Sequence, residues 1–140
     1  MKKIALIAVI VMVAAVSFTG CKKYEDGPAL TLLTKKMRVT GDWKIEQVLV
    51  NNVDQTSAFT SFAGANYMVS IKKDGTYTIS GNWTDNGTWK FSDDKSEFIT
   101  LSSQTGSTED HETILKLKNK EFWLKSTDSS GNTTEVHYAQ

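Results

Sequence analysis

Residues 41–50 read Gly-Asp-Trp-Lys-Ile-Glu-Gln-Val-Leu-Val, and from this stretch onward the hydrophobic pattern has a period of two. Trp43, Ile45 and Leu49 fall on one side of an extended segment, because successive side chains of a β-strand point to opposite faces. The stretch therefore predicts the first strand of a β-domain, with Trp43 facing inward.

The segment just before it, residues 29–40, has a helical period instead. Leu30, Leu33 and Met37 recur at helical spacing, while basic residues, Arg38 among them, occupy the other side. We expect a short helix here that packs under the domain and ends at Gly41.

Turn sequences predict how the following strands pair. Residues 73–75, Lys-Asp-Gly, and 85–87, Asp-Asn-Gly, each fit a three-residue hairpin loop with glycine in the left-handed conformation. A one-residue slip would invert every side chain, so consistent apolar pairs support the register. The expected opposed pairs are Ile71–Tyr77, Val69–Ile79, Trp83–Trp89 and Gly81–Phe91.

Two further turns complete the sheet. A turn at 94–96 sets Phe91 opposite Ile99 and Trp89 opposite Leu101, and a two-residue turn at 119–120 sets Leu117 opposite Phe122 and Leu115 opposite Leu124. The expected strands cover 42–50, 66–72, 76–84, 88–92, 97–102, 110–118, 121–127 and 133–139. Because closure removes exposed edges, we expect an all-β, eight-stranded antiparallel up-and-down barrel with a short N-terminal helix.

The first residues have the character of an export signal. Met1-Lys2-Lys3 precede an apolar run over 4–16, too short to span a bilayer comfortably and typical of a secretory signal peptide. Residues 17–20 then lead to Cys21, the only cysteine. This order resembles the bacterial lipoprotein cleavage box, which implies that Cys21 is the lipid-modified first residue of the mature protein; the alternative is a signal followed by an unrelated free thiol.

The resemblance divides the chain into a signal peptide (1–20), a lipidated cysteine with a polar tether (21–28) and a domain (29–140). The charged tether resembles the surface-export signals of some Gram-negative lipoproteins, so the expected location is the outer membrane of such a cell. Loss of Lys2 and Lys3 lowers the 16 basic residues to 14 against 16 acidic ones, a formal charge of −2. That balance excludes a basic surface for nucleic acid.

The Gly41-Asp42-Trp43 stretch matches the G-x-W signature of the lipocalins at the start of their first strand. The domain thus resembles the small lipocalin-like domains of bacterial envelope lipoproteins. In that family the tryptophan plugs the closed end of the barrel. The longest loop joins strands one and two; here it covers 51–65, with a helical lid expected over 54–62.

Candidate sites follow from the predicted faces. We take inward aromatic residues as ligand-binding candidates and outward hydrophobic residues as a partner patch. The ligand-binding candidates are Tyr67, Tyr77, Trp83 and Trp89. The partner-patch candidates are Phe98, Ile114 and Trp123.

Catalytic and metal chemistry find little support in the sequence. Residues 109–112, Glu-Asp-His-Glu, alternate in direction, so the four side chains do not converge, and they are expected to face water at a strand entry. His137 is expected to be exposed. No Ser-His-Asp order or strand–turn–helix elbow is present, so we predict neither a catalytic site nor a metal or cofactor.

Two functions remain open at this stage. The first is a membrane-anchored, non-catalytic module that binds a small apolar or amphipathic ligand, which enters by the 51–65 loop. The second is a structural or interaction lipoprotein with a filled barrel and an outer apolar patch for an unknown protein partner. A cavity above roughly 300 Å³ would favour the first and a packed interior the second.

Overall fold

The computed structural model describes residues 32–140, which form a closed antiparallel barrel with two short helices. The helices are α1 (Lys35–Val39) and α2 (Thr56–Ala63). The strands are β1 (Gly41–Val50), β2 (Val53–Asp54), β3 (Met68–Ile71), β4 (Thr76–Ser80), β5 (Asp85–Phe91), β6 (Glu97–Ser102), β7 (Asp110–Leu117), β8 (Glu121–Thr127) and β9 (Thr133–Ala139).

Eight strands form the barrel, and the two-residue β2 folds back to pair antiparallel with the end of β1. From β3 to β9 each strand pairs with the next, and β1 closes the barrel by pairing with both β3 and β9. The predicted fold class is confirmed. The expected signal peptide over 1–20, Cys21 and the tether over 21–28 lie outside the described residues. Within residues 32–140, no helix has the length and apolar character needed to cross a bilayer.

One end of the barrel is closed by α1 and Trp43. Thr34 caps the helix by accepting a hydrogen bond from the Met37 amide at 3.2 Å. Val39 and Trp43 are fully buried, and the Trp43 indole Nε1 donates to the Val39 carbonyl at 2.7 Å. The tryptophan is thereby held across the barrel floor with its one polar group satisfied.

The packing face of α1 differs from the predicted one. Met37, expected to pack under the domain, is 44% exposed, whereas Arg38, expected outside, is buried. The Arg38 guanidinium donates to the Leu117 carbonyl at 2.6 Å, which draws the side chain over the barrel end. A five-residue helix is too short for its periodicity to decide which side faces in.

The first predicted hairpin is correct. Ile71 lies opposite Tyr77 and Val69 opposite Ile79, and Gly75 has a φ of 92°. The second is wrong. Tyr77 pairs with Gly87 and Ile79 with Asp85, so the turn covers 81–84 and the Asp85–Gly87 segment belongs to β5.

The β4–β5 difference amounts to a slip of eight residues along β5, because the predicted register sets Tyr77 opposite Lys95 and the structure sets it opposite Gly87. Because the number is even, Trp89 and Phe91 keep the inward direction expected of them. Trp83 does not face Trp89 but lies in the turn, and Gly87 does not have the positive φ expected of it.

The β5–β6 pairing is one residue out of the predicted register. Phe91 lies opposite Phe98, not Ile99, because the loop at 93–96 has four residues and Lys95 takes a left-handed φ of 60°. Phe98 is therefore inside and 3% exposed, while Leu101, expected inside, is 38% exposed.

Two bulges invert the phase of strands whose periodicity looked regular. The β7–β8 register shifts between Ile114 and Lys116, so Leu124 lies opposite Ile114 rather than Leu115; the predicted Leu117–Phe122 pair is correct. A second shift, between Ile45 and Gln47 in β1, buries Val48 in place of Leu49. Ile114, expected outside, is consequently 3% exposed.

Candidate functional site

The barrel encloses a cavity of about 560 Å³. Its floor is apolar: Trp43 lies at the closed end, and Phe122 packs against Trp43 with ring centroids 5.6 Å apart. Polar groups increase toward the other end. The lining residues are Trp43, Val69, Ile71, Tyr77, Ile79, Asp85, Phe98, Thr100, Glu109, Asp110, His111, Glu112, Phe122, Leu124, Ser126, Thr127 and Tyr138.

The cavity opens at the end opposite α1. Asp85 begins β5, Asp110 begins β7 and Thr127 ends β8, so these three lining residues lie at the same end of the barrel. The loops at that end cover 81–84, 103–109 and 128–132. The site is thus a cup with an apolar floor and a polar mouth.

Asp85 is a fully engaged carboxylate in the wall. Its Oδ2 accepts a hydrogen bond from the Tyr77 hydroxyl at 2.8 Å, and its Oδ1 accepts one from the Ser102 hydroxyl at 2.7 Å. Burial raises the pKa of Asp85, but hydrogen bonds led by those from Ser102 and Tyr77 outweigh it, so the net pKa is lowered. Asp85 is therefore ionised near neutral pH and contributes a fixed negative charge.

Glu112 differs from Asp85 both in its hydrogen bonding and in the direction of its pKa shift. It lies opposite Phe98 in the β6–β7 pairing, so its side chain points into the barrel, where protein surrounds it on most sides while one side stays open to the cavity. No group within residues 32–140 donates a hydrogen bond to its carboxyl. Burial, with a smaller effect from the nearby Asp110 charge, raises the pKa of Glu112 to about 7.

Two phenols lie in the same electrostatic environment. Burial raises the pKa of the Tyr67 and Tyr138 phenols, and the nearby Glu112 charge adds to the effect. Both phenols are therefore neutral at physiological pH.

The 109–112 segment divides between the two faces, as alternation predicts. Glu109 and His111 belong to an ion-pair group on the outer face: Lys90 Nζ lies 2.6 Å from Glu109, and His111 Nδ1 lies 3.0 Å from Glu97. Asp110 and Glu112 point into the cavity, so the expectation that the whole segment faces water is wrong. In the described part of the chain, no three acidic or histidine side chains are arranged to hold a metal ion.

Of the four ligand-binding candidates, only Tyr77 lines the cavity. Trp89 packs against Phe98 at 5.5 Å between ring centroids, and Tyr67 is not among the residues that line the cavity. Trp83 lies in a separate cluster with Phe59, Phe62 and Tyr67, between α2 and the 81–84 turn. The four candidates do not gather as expected, because the predicted β4–β5 register was wrong.

The helix expected over 54–62 is present as α2, and it covers the side of the barrel where β1 and β3 diverge. The two strands pair only through Gly41–Trp43 and Val69–Ile71, and Phe59 of α2 packs edge-on against Tyr67 beyond that point at 5.5 Å. Phe62 on the same helix is 71% exposed.

The proposed outer partner patch does not exist as a group of three. Phe98 and Ile114 belong to the core, for the register reasons given above. Trp123 does lie on the outer face, between its neighbours on β7 and β9. Its ring stacks on His137 at 3.8 Å, and Lys116 Nζ lies 3.4 Å from the ring centroid.

The expected exposure of His137 is also wrong. The side chain points outward, but the Trp123 ring covers it, and Nε2 lies 2.6 Å from Glu135.

The inward acids Asp110 and Glu112 are cavity-lining residues that the sequence analysis did not include among the candidates. Asp110 and Glu112 alternate with outward residues, so a signal was present in the period-two pattern. It could not be used, because an acidic residue is normally assigned to the solvent face of a strand. Only the position of Phe98 opposite Glu112 identifies that face as the interior.

No protein-family model matches the chain, and no curated protein sequence matches it significantly. Among solved structures, the chain is similar to the crystal structure of a DUF4847 family protein from Bacteroides vulgatus ATCC 8482. The sequences are 14% identical, the alignment covers 75% of this chain and 95% of that one, and the TM-score is 0.45.

Proposed function

We propose that the protein is a non-catalytic carrier that holds a small amphipathic molecule inside its barrel and is anchored to the outer membrane of a Gram-negative cell. The observation that carries the proposal is the cavity of about 560 Å³. Ligand sites in proteins typically enclose about 300–1,000 Å³, and a barrel serving only as a structural unit has no need of such a space.

The chemistry of the cavity favours an amphipathic molecule over a wholly apolar one. Trp43, Phe122 and Leu124 offer an apolar floor, whereas Asp110 and Thr127 offer polar groups near the mouth. A ligand with an apolar body and a polar end would bury the body and keep the end near water. The family resemblance of the Gly41–Trp43 stretch to lipocalins agrees with this use of the barrel.

We prefer a carrier to an enzyme because both histidines contact glutamates rather than a hydroxyl group that could act as a nucleophile. His111 contacts Glu97 and Glu109, and His137 contacts Glu135. Neither of them pairs with a serine or threonine hydroxyl in a way that would activate a nucleophile.

The second function considered from the sequence, a filled barrel with an outer patch, loses its basis. The interior is not filled, and two of the three patch residues lie in the core. Trp123 alone remains on the outside, held between Lys116 and His137.

Carriage can be tested by closing the cavity with a bulky side chain. Ser126 lines the cavity, and its neighbour Lys125 on the same strand points the other way. We expect the protein to take up the neutral apolar dye N-phenyl-1-naphthylamine, Ser126→Phe to lose this uptake, and Lys125→Phe to retain it. Equal uptake by both variants would place the dye elsewhere and overturn the proposal.

Anchoring is tested independently at Cys21. The apolar run over 4–16 and the position of the sole cysteine support lipid modification, and two or more acyl chains hold a protein stably on a membrane. Cys21→Ala should release the protein into the soluble envelope fraction and abolish labelling by a palmitate analogue. Unchanged membrane partition of the variant would disprove the anchor.

A further inference from the structure

We propose that the molecule carried in the barrel bears a positive charge: an organic ammonium ion attached to an apolar body, with the charge held against Glu112. This inference rests on the proposed carrier function and specifies the ligand class. It depends on the charges that line the cavity, on the unpartnered state of Glu112, and on the position of Glu112 above the apolar floor.

The charges that face the cavity have one sign in its interior. Asp85 from β5 and Asp110 and Glu112 from β7 line the wall, and the residues of 32–140 that form the lining include no lysine or arginine. Tyr77 and Tyr138 from β4 and β9 also face the space, and Tyr67 lies behind Tyr138. The cationic groups in this region, Lys90 and His111, interact with Glu109 and Glu97 on the outer face of the sheet.

The three interior acids are not equivalent. Asp85 already accepts hydrogen bonds from Tyr77 and Ser102, so its charge is satisfied by the wall itself. Glu112 accepts none from the described residues, although it is enclosed and aimed into the space. An enclosed carboxyl without partners is unfavourable unless something else completes its surroundings, and a cation does so best.

Position supports the same assignment. Glu112 lies two residues deeper along β7 than Asp110, which begins the strand, and both side chains point inward. Adjacent inward positions on a strand are separated by roughly 6–7 Å. An ammonium group at Glu112 would therefore also feel the Asp110 charge, while its apolar body reached down to Phe122 and Trp43.

The test compares three molecules with the same ten-carbon chain: decyltrimethylammonium, 1-decanol and decanoate. Each would be used at pH 8 to displace N-phenyl-1-naphthylamine from the protein. We expect the ammonium to bind roughly tenfold or more tightly than the alcohol, and decanoate to bind most weakly. Decyltrimethylammonium has a permanent charge, so any pH dependence of its binding reports on the protein.

Glu112→Gln tests the residue assignment. It should weaken decyltrimethylammonium binding by about tenfold or more while leaving decanol binding nearly unchanged. Glu46→Gln makes the same charge change at an exposed position on β1 and should leave all three affinities as they are. Between pH 8 and pH 5.5, ammonium binding by the unmodified protein should weaken as Glu112 becomes protonated, and Glu112→Gln should flatten that profile.

The outcomes separate the two proposals. If the dye binds but decanoate competes as well as the ammonium, or if Glu112→Gln affects all three molecules equally, the barrel is a carrier without a preference for cations and this inference is wrong. If neither the dye nor any of the three molecules binds, the carrier function itself fails.

Discussion

The surrounding sheet determines both the direction and the ionisation of the Glu112 side chain. Its direction follows from the pairing of β7 with β6, which places it opposite Phe98 inside the barrel. Its ionisation follows from the low polarity there, which raises its pKa from 4.5 to about 7. A folded protein that binds this proton more tightly than the unfolded chain loses stability as the pH rises.

The first prediction concerns that loss. The contribution of Glu112 to the free energy of unfolding should fall as the pH rises from 4.5 through about 7 and then level off. The total fall should be about 3 kcal/mol, since each pKa unit corresponds to about 1.36 kcal/mol. Glu112→Gln should therefore match the unmodified protein near pH 4.5 and exceed its unfolding free energy by up to about 3 kcal/mol at pH 8. Urea denaturation at several pH values, with Glu46→Gln as control, measures the difference; a constant offset would contradict it.

The second prediction contrasts two glycines that looked alike in the sequence. Gly75 has a φ of 92° with its nearest obstacle, the Trp89 carbonyl oxygen, 3.6 Å from an added methyl group, so Gly75→Ala should cost about 1 kcal/mol of backbone strain. Gly87 is not left-handed, but an added methyl group there would overlap the Leu101 carbonyl oxygen and the Tyr77 ring.

Gly87→Ala should consequently be the more damaging change, at about 2–3 kcal/mol or more. The order of the two denaturation midpoints checks this. A larger effect at Gly75 would mean that left-handed backbone strain costs more than the close approach at Gly87.

At the scale of the strand, the sequence predicts which segments form strands better than it predicts how those strands pair. All eight barrel strands were found within a few residues of their expected bounds, because apolar alternation and turn residues mark them clearly. The Lys73–Gly75 hairpin was also correct, since its loop has the expected length and its glycine the expected φ.

The errors in strand register have local physical causes that the hydrophobic pattern of the sequence does not reveal. A four-residue loop at 93–96 with a left-handed lysine shifted β6 by one residue and brought Phe98 inside. Bulges after Ile45 and Ile114 exchanged inward and outward positions in the middle of β1 and β7. Because the candidate site depends on which face each residue occupies, these single-residue shifts removed Phe98 and Ile114 from the surface and hid Glu112.

The third prediction concerns two tryptophans on different faces. Trp43→Ala should cost about 3–5 kcal/mol, because the side chain is fully buried at the barrel floor. An outward position alone would make Trp123→Ala almost neutral, but stacking on His137 and contact with Lys116 raise the expected cost to about 1–2 kcal/mol.

Chemical denaturation of the two variants measures both effects. Trp123→Phe, which keeps a ring for stacking, should recover much of the smaller loss. Equal destabilisation by the two alanine variants would contradict the assignment of Trp123 to the outer face.

At the scale of the whole molecule, the barrel closes unevenly. β1 pairs with β9 over Lys44–Val50 but with β3 only over Gly41–Trp43, and α2 covers the remaining gap. Regions with fewer backbone pairs open with lower free energy. This seam between β1 and β3 has the fewest paired residues of any strand pair in the barrel, so we expect it to open most easily.

The fourth prediction follows from that seam. In native-state hydrogen exchange, amides of α2 and β3 should exchange faster than those of β8 and β9, through local opening rather than global unfolding. Bound ligand should slow exchange around the cavity more than in α1. Protection of β3 equal to that of β9 would show that the α2 cover makes the seam as stable as a paired edge.

The location of α1 has a consequence for the proposed membrane anchor. The described chain begins at residue 32 beside the closed end, where Lys35 Nζ reaches the carbonyl of Lys95, and the cavity mouth lies at the opposite end. If Cys21 carries the proposed anchor, the described domain would meet the lipid surface with its closed end first, and the mouth would be turned away from that surface. Cargo would then arrive from the aqueous side and be handed on there, not drawn sideways out of the bilayer.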